Sequence, residues 1–362
     1  FILYIMQSFS ISFIIFMLYK ISNILFDDED TNYLVVILCA ICFPLIFYVA
    51  FVYGLLPGMF LTLVAYYYFI KYTKEEHWYQ LVISALSINL AILLIGNNLI
   101  HLLAIFAVAV IYFIRNKDWK IIAFILSCVF LMSAEKSVIT NYYEVKSQKE
   151  IAEGVPKITW IAMGMQEGER EAGWWNRFNY DIMPEEEYDE KRITEISKTS
   201  MKQRLNVFRD NPKYAFDFYQ RKYENQFIEP TFQSLLVTAP QRNFSNETTL
   251  EKIRDFFVKQ IYFNHTHTVL EFIMKVFQVF VYLFTFVFAV VMYKRKNEFF
   301  AIIPIAFIGG TLFNMIWEAK SRYIFPYFVF LIPLTAYGLV IVRNKIKEYK
   351  KLKEEKDEKS TI

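Results

Sequence analysis

"WEAKSRYIFPYFVFLIPLTAYGL", residues 317–339, sets a long apolar run behind three charges, Glu318, Lys320 and Arg322. A charge at the centre of a bilayer costs about 2.5–3.5 kcal/mol on insertion scales, so this head belongs at the end of a span and its tail within one. Windows of roughly 20 apolar residues, enough to cross a hydrocarbon layer, recur near residues 1–26, 33–53, 55–70, 79–96, 99–114, 119–134, 269–292, 299–316 and 323–343. The expected fold is therefore all-α and polytopic, with about nine transmembrane helices. Pro44, Pro57, Pro304 and Pro333 lie inside these runs, where neighbouring helices satisfy the carbonyls that a proline frees.

Composition points the same way. Of 362 residues, 56% are hydrophobic and 19% aromatic, which suits a membrane protein better than a soluble domain. The net charge of +3 is small, and the lysines stand in short runs beside apolar stretches, so no nucleic-acid partner is expected. Cys39, Cys42 and Cys128 all sit in apolar runs and form neither a disulfide framework nor a zinc spacing. His265 and His267 lack the ligand spacing of a metal site. No P-loop, dinucleotide fingerprint or assignable Ser/His/Asp arrangement occurs, and neither cofactor nor metal is expected. Phe1 opens within an apolar run with no charged leader, so the expectation is that an N-terminal part of the protein precedes it.

Loop charges give an orientation. Lys71 and Lys74, then Arg115, Lys117 and Lys120, then Lys294, Arg295 and Lys296, and finally the tail from Arg343 fall on one side if every stretch spans. That side is cytoplasmic by the positive-inside rule. The loops "YGLLPG" and "IGNN" carry no Lys or Arg. The expected organisation is six helices in 1–134, an extracytoplasmic loop domain over 135–268, three helices in 269–343 and a charged cytoplasmic tail over 344–362. Within the loop, residues 186–209 read as a helix with Ile193, Ile196, Leu205 and Phe208 at helical spacing, stopped before Pro212. A second helix is expected over 212–227. A third starts at a capping box of Thr248 and Glu251, and its stripe of Leu250, Ile253, Phe256, Phe257 and Ile261 either lies on the outer leaflet or packs into the loop's own core.

Three stretches have chemistry-bearing residues. If the 317–322 turn is helical, Glu318 and Arg322 share a face and the acid orients the guanidinium. Lys320 and Arg322 would then suit a phosphate, one as a point charge and one as a planar fork; the plainer alternative is a structural ion pair with snorkelling side chains. "WIAMGMQEGEREAGWWNRFN", residues 160–179, combines glycines with Trp174, Trp175 and Asn176. Such aromatic faces beside amides suit a sugar, or else they anchor the loop in the headgroup layer. "IGNNLIH", residues 95–101, offers Asn98 and His101 for a polar cavity, or forms a turn and cap with His101 hydrogen-bonded nearby. The acceptor triplets at Asn243, Asn246 and Asn264 match N-glycosylation sites and matter only in a secretory pathway.

"KITWIAMGMQEGEREAGWWNRFN", then "EPTF" at 229–232, then the closing "WEAKSRYIFPYFVFLIPLTAYGL" together resemble the C-terminal two thirds of bacterial membrane glycosyltransferases of the protein-mannosyltransferase and aminoarabinose-transferase type, in the GT-C superfamily. "NNLIHLLA" is similar to that family's polar start of a middle helix. The resemblance implies transfer of a sugar from a polyprenyl-phosphate donor in the membrane lipid to a protein, lipid or cell-wall glycan acceptor. It implies that Lys320 and Arg322 hold the donor phosphate. The family's general base, an acid in the first outer loop, has no match here and is expected upstream of Phe1; Glu167, Asp181 and Glu318 are not assigned that role. Two other classes stay open. An O-antigen-type polymerase or ligase would use Arg170 and Arg177 on a polyprenyl diphosphate, and a lipid or glycan transporter would show charges within spans and paired hydropathy halves.

Overall fold

Backbone polar groups in hydrocarbon have no water to bond, so a chain this apolar closes its hydrogen bonds within helices. The computed structural model describes residues 2–151, 154–185, 188–239, 248–293 and 298–360, and every regular element among them is a helix. The Lys294–Lys296 charge cluster and the acceptor sites at Asn243 and Asn246 lie outside the described residues.

All nine apolar stretches are helical, but the count of spans is smaller. Among the described residues, five helices are long and apolar enough to cross a membrane: Ile2–Phe26, Gly96–Asn116, Trp119–Ser147, His265–Met292 and Phe299–Ile316. Two bent pairs, Glu29–Ile41 with Phe43–Ala50 at 60° and Ser321–Phe330 with Ile332–Asp357 at 53°, raise the number to seven if each pair is one span. Prolines explain the bends: Pro44 starts the segment after the first break, and Pro333 follows the second. The remaining two fall short for different reasons. Trp78–Leu94 has only 17 residues. Leu55–Glu75 is diluted by Pro57, Gly58, three consecutive tyrosines (Tyr66, Tyr67, Tyr68) and Lys71.

The chain forms two compact units. The first comprises Phe1–Phe124, Ser234–Pro304 and Pro326–Ile362. Its core is aromatic, with Tyr66, Phe69, Tyr72, Phe328 and Phe330 fully enclosed. Gly338 lets the last helix approach Phe284, because a Cβ there would collide with the Phe284 carbonyl. Thr285 and Thr335 hydroxyls bond across the same crossing at 3.0 Å. Arg343 at the start of the charged tail pairs with Asp30.

The second unit comprises Ile125–Gln233 and Ile305–Phe325. The first loop helix runs Glu190–Asp210, starting later than expected because Asp189 caps it through the Lys191 and Arg192 amides; Glu186 and Glu187 lie outside the described residues. Asn211 then caps Pro212–Glu224, its Oδ1 accepting from the Tyr214 amide at 3.1 Å with Pro212 at the first helical position. This second helix ends at Glu224, short of the expected 227. Phe208 and Phe218 pack with Met165 and Ala172 to form the unit's core.

Candidate functional site

The site lies within the second unit. After Ile316 the chain leaves the helix and re-enters one only at Ser321, so residues 317–320 are not helical and Glu318 and Arg322 are not spaced as a pair on one helix. The cause is tertiary: the Ala319 amide donates to the Gly173 carbonyl at 2.9 Å. Tyr323 links the two charges instead. Its hydroxyl bonds the Glu318 carboxylate and accepts from Arg322 Nη2 at 2.7 Å.

Lys320 is buried. Its ammonium donates to Glu171 and stands 4.1 Å from the Trp174 ring centre. On the same ring lies Arg170, whose guanidinium is 4.8 Å from Trp174 and 4.6 Å from Trp175. The result is an alternation of Lys320, Trp174, Arg170 and Trp175 of cation–π type. Burial alone would raise the Glu171 carboxyl, but the hydrogen bond and charge of Lys320 outweigh it and hold it below the usual carboxylate range. Asn176 donates to Gln166 Oε1 at 3.2 Å and accepts from the Phe178 amide at 3.1 Å.

Beneath this lies a lysine closed off from solvent. Lys222, on the inward face of Pro212–Glu224, is 0% exposed. Its ammonium donates to the Gly164 carbonyl and to the Trp317 carbonyl at 2.6 Å. Two glycines permit this arrangement, one beside the lysine stem and one beside the Trp317 carbonyl. Gly173 has a φ of +70°, and a Cβ there would stand 2.6 Å from Lys222 Cδ and Cε; a Cβ on Gly164 would collide with the Trp317 carbonyl. Burial pulls the Lys222 ammonium down to about 7 against the opposing charge of Glu318. Burial pushes the Glu318 carboxyl up, against hydrogen bonds from Tyr323 and the Trp175 amide and the charge of Arg322. Both members of this pair are thus driven toward their neutral forms. Glu318 Oε1 has no hydrogen-bond partner among the described residues.

Glu229, the acid of "EPTF", ties its own turn to the start of the helix Ser321–Phe330. It accepts from the Thr231 amide at 2.9 Å and from Ser321 Oγ at 3.1 Å. Trp317 stacks between Phe313, at 5.3 Å, and Trp160, at 6.4 Å.

Of the residues expected from sequence, Glu318, Lys320, Arg322, Trp174, Trp175 and Asn176 all fall in this unit. Asn98 and His101 belong to the other. There Asn98 donates to the Ala91 carbonyl at 2.7 Å, and His101 Nδ1 meets the Tyr66 hydroxyl at 2.7 Å while stacking on Tyr327 at 4.7 Å. Both are held as a turn and a bonded histidine would be. Sequence reasoning passed over Lys222 and Glu171. One signal was available: Ala215, Phe218 and Lys222 recur at i, i+3 and i+7, which puts a charge in the register of an apolar stripe.

The family model described as a conserved hypothetical integral membrane protein matches residues 3–340. The chain belongs to that family. The match takes in every residue of the site and ends before most of the charged tail. The chain is therefore an integral membrane protein with several apolar helices. No curated protein and no solved structure matches it.

Proposed function

We propose that this protein is a membrane glycosyltransferase that moves a sugar from a polyprenyl-phosphate donor to an extracytoplasmic protein, lipid or cell-wall glycan. The observation that carries the reading is buried Lys320 set on the Trp174 face, with Arg322 two residues further along the chain. An ammonium and a guanidinium two residues apart suit a phosphate, and an adjacent indole suits the C–H face of a sugar. In this reading the 135–268 segment is extracytoplasmic and the tail cytoplasmic, in keeping with the lysine bias of the short loops.

The chemistry is a displacement at the anomeric carbon. The bond from that carbon to the phosphate oxygen breaks and its electron pair leaves on the phosphate, while an acceptor hydroxyl forms the new bond and gives its proton to a carboxylate base. Lys320 and Arg322 neutralise the departing phosphate, the larger electrostatic contribution. Glu318, through Tyr323, keeps Arg322 in place. The base is not assigned to Glu167, Asp181 or Glu318: the first is engaged by Tyr214 and Arg221, the second by Arg177, and the third sits beside Lys222.

The test is transfer from a radiolabelled polyprenyl-phosphate sugar by full-length protein in proteoliposomes. Arg322→Ala and Lys320→Met are expected to abolish transfer while the protein still inserts and folds. Unchanged transfer in both would refute the role. A second reading rests on Arg170, which shares the Trp174 ring with Lys320: a third cation suits a diphosphate, as an O-antigen-type polymerase or ligase requires. Extension of a lipid-diphosphate glycan, lost in Arg170→Ala, would favour it.

A further inference from the structure

The helix Thr249–Phe263 is amphipathic in the wrong sense for a protein core. Thr248 and Glu251 close a reciprocal capping box at its start, and a single extended residue, Asn264, separates it from the apolar helix His265–Met292. Its buried side is polar: Asp255 is 1% exposed and pairs with Arg254 at 2.9 Å. Tyr262, next along that side, bonds Thr238 at 3.0 Å. Its open side is apolar. Leu250 is 80% exposed, Ile253 52%, and Phe256 and Phe257 58% each.

At about 100° per residue, Leu250, Ile253, Phe256 and Phe257 fall within one arc. Lys252 and Lys259 border that arc on one side and Arg254 on the other. Cations flanking an apolar stripe are the arrangement of a helix lying in the lipid interface, with phosphates beside the ammonium groups and acyl chains against the rings. Continuity with His265–Met292, one residue away and apolar enough to span, puts the stripe where a bilayer surface is close at hand.

We infer that Thr249–Phe263 lies along the membrane surface, with Leu250, Ile253, Phe256 and Phe257 in the upper acyl layer, and that lipid is the partner of this face. The helix then sets the angle at which His265–Met292 enters the bilayer and stops the preceding chain from moving toward or away from it.

The test places an environment-sensitive fluorophore on Phe256→Cys, and separately on Ile253→Cys, in the full chain in lipid nanodiscs. Lys259→Cys serves as the border control. Because an interfacial helix buries its apolar face by about 5–10 Å, nitroxide near the lipid headgroup should quench both stripe positions about twofold more than nitroxide at the bilayer centre. Equal or weaker quenching by the headgroup probe than by the central one would mean deep insertion and overturn the inference. No quenching by either probe at both positions would mean that protein, such as a second copy of this chain, covers the stripe, and would overturn it equally.

Discussion

Replacing Lys222 by Met separates the two things this side chain does. Methionine keeps most of the stem volume packed against Gly173 but leaves the Gly164 and Trp317 carbonyls without a donor. Each orphaned buried group costs about 1–3 kcal/mol, so the variant should lose about 2–6 kcal/mol of stability near neutral pH. The pH dependence is the sharper quantity. A buried lysine whose ammonium is pulled from 10.5 to about 7 is neutral in the folded state and charged in the unfolded state between those values. The unfolded state then binds more protons, so stability rises with pH across that window by about 1.4 kcal/mol per pH unit. A neutral amine still has two N–H groups, enough for both carbonyls, so deprotonation leaves the bonds in place. The lysine is about half neutral already at pH 7, so the stability gap between wild type and Lys222→Met should widen by about 2 kcal/mol between pH 7 and pH 9. Unfolding of the purified protein in detergent, followed by tryptophan fluorescence at matched pH for both proteins, measures it. Titrating groups other than Glu318, whose charge acts on Lys222, cancel in the difference. A gap that stays constant or narrows as pH rises would show that Lys222 remains charged, and the account of its environment would fail.

Three further outcomes follow from the same contacts. Gly173→Ala adds a Cβ at φ +70° and 2.6 Å from the lysine stem; with a left-handed penalty of about 1–2 kcal/mol before any clash, its melting temperature should fall well below that of an alanine placed on the exposed face of Glu190–Asp210. Glu171→Gln removes the carboxylate from Lys320 and should tighten binding of a short-chain prenyl phosphate on the order of tenfold, about 1.4 kcal/mol, in a titration where Lys320→Met weakens it. Tyr66→Phe breaks the bond to His101 and should lower stability by about 1–2 kcal/mol; if sugar transfer keeps its KM in that variant, His101 has a structural task only.

Much of this arrangement was legible because it is local. The nine apolar stretches all became helices, Asn211 and Pro212 punctuate the loop at the expected place, and the Thr248 capping box forms as written. Each depends on residues within a turn or two of one another. The span count was less legible, since a window of apolar letters does not register tyrosines enclosed by protein: Tyr66 and Tyr72 are fully buried, and Tyr72 bonds Asp118. The head of the last span was misread for a related reason. An acid and an arginine four apart suggest a helical pair, yet the Gly173 carbonyl, about 150 residues earlier in the chain, captures the Ala319 amide and holds the turn open.

Lys222 shows where local reading ends. Its spacing puts it on the apolar side of its helix, and from sequence a lysine there looks like a snorkelling stem with its charge in water. Two carbonyls decide otherwise. Gly164 and Trp317 come from segments on either side of it in the chain; Gly164 ends the helix Lys157–Gly164 and Trp317 lies just past Ile302–Ile316, so both have carbonyls with no helical donor to satisfy them. An apolar residue at position 222 would fill the space and leave those acceptors bare; an arginine would have more bulk than the glycine-lined slot allows. Lysine has the reach of a long stem and two N–H groups even when neutral. Its burial is therefore explained by the acceptors it serves, Gly173 by the lysine stem that packs on it, and Gly164 by the Trp317 carbonyl that it lets approach.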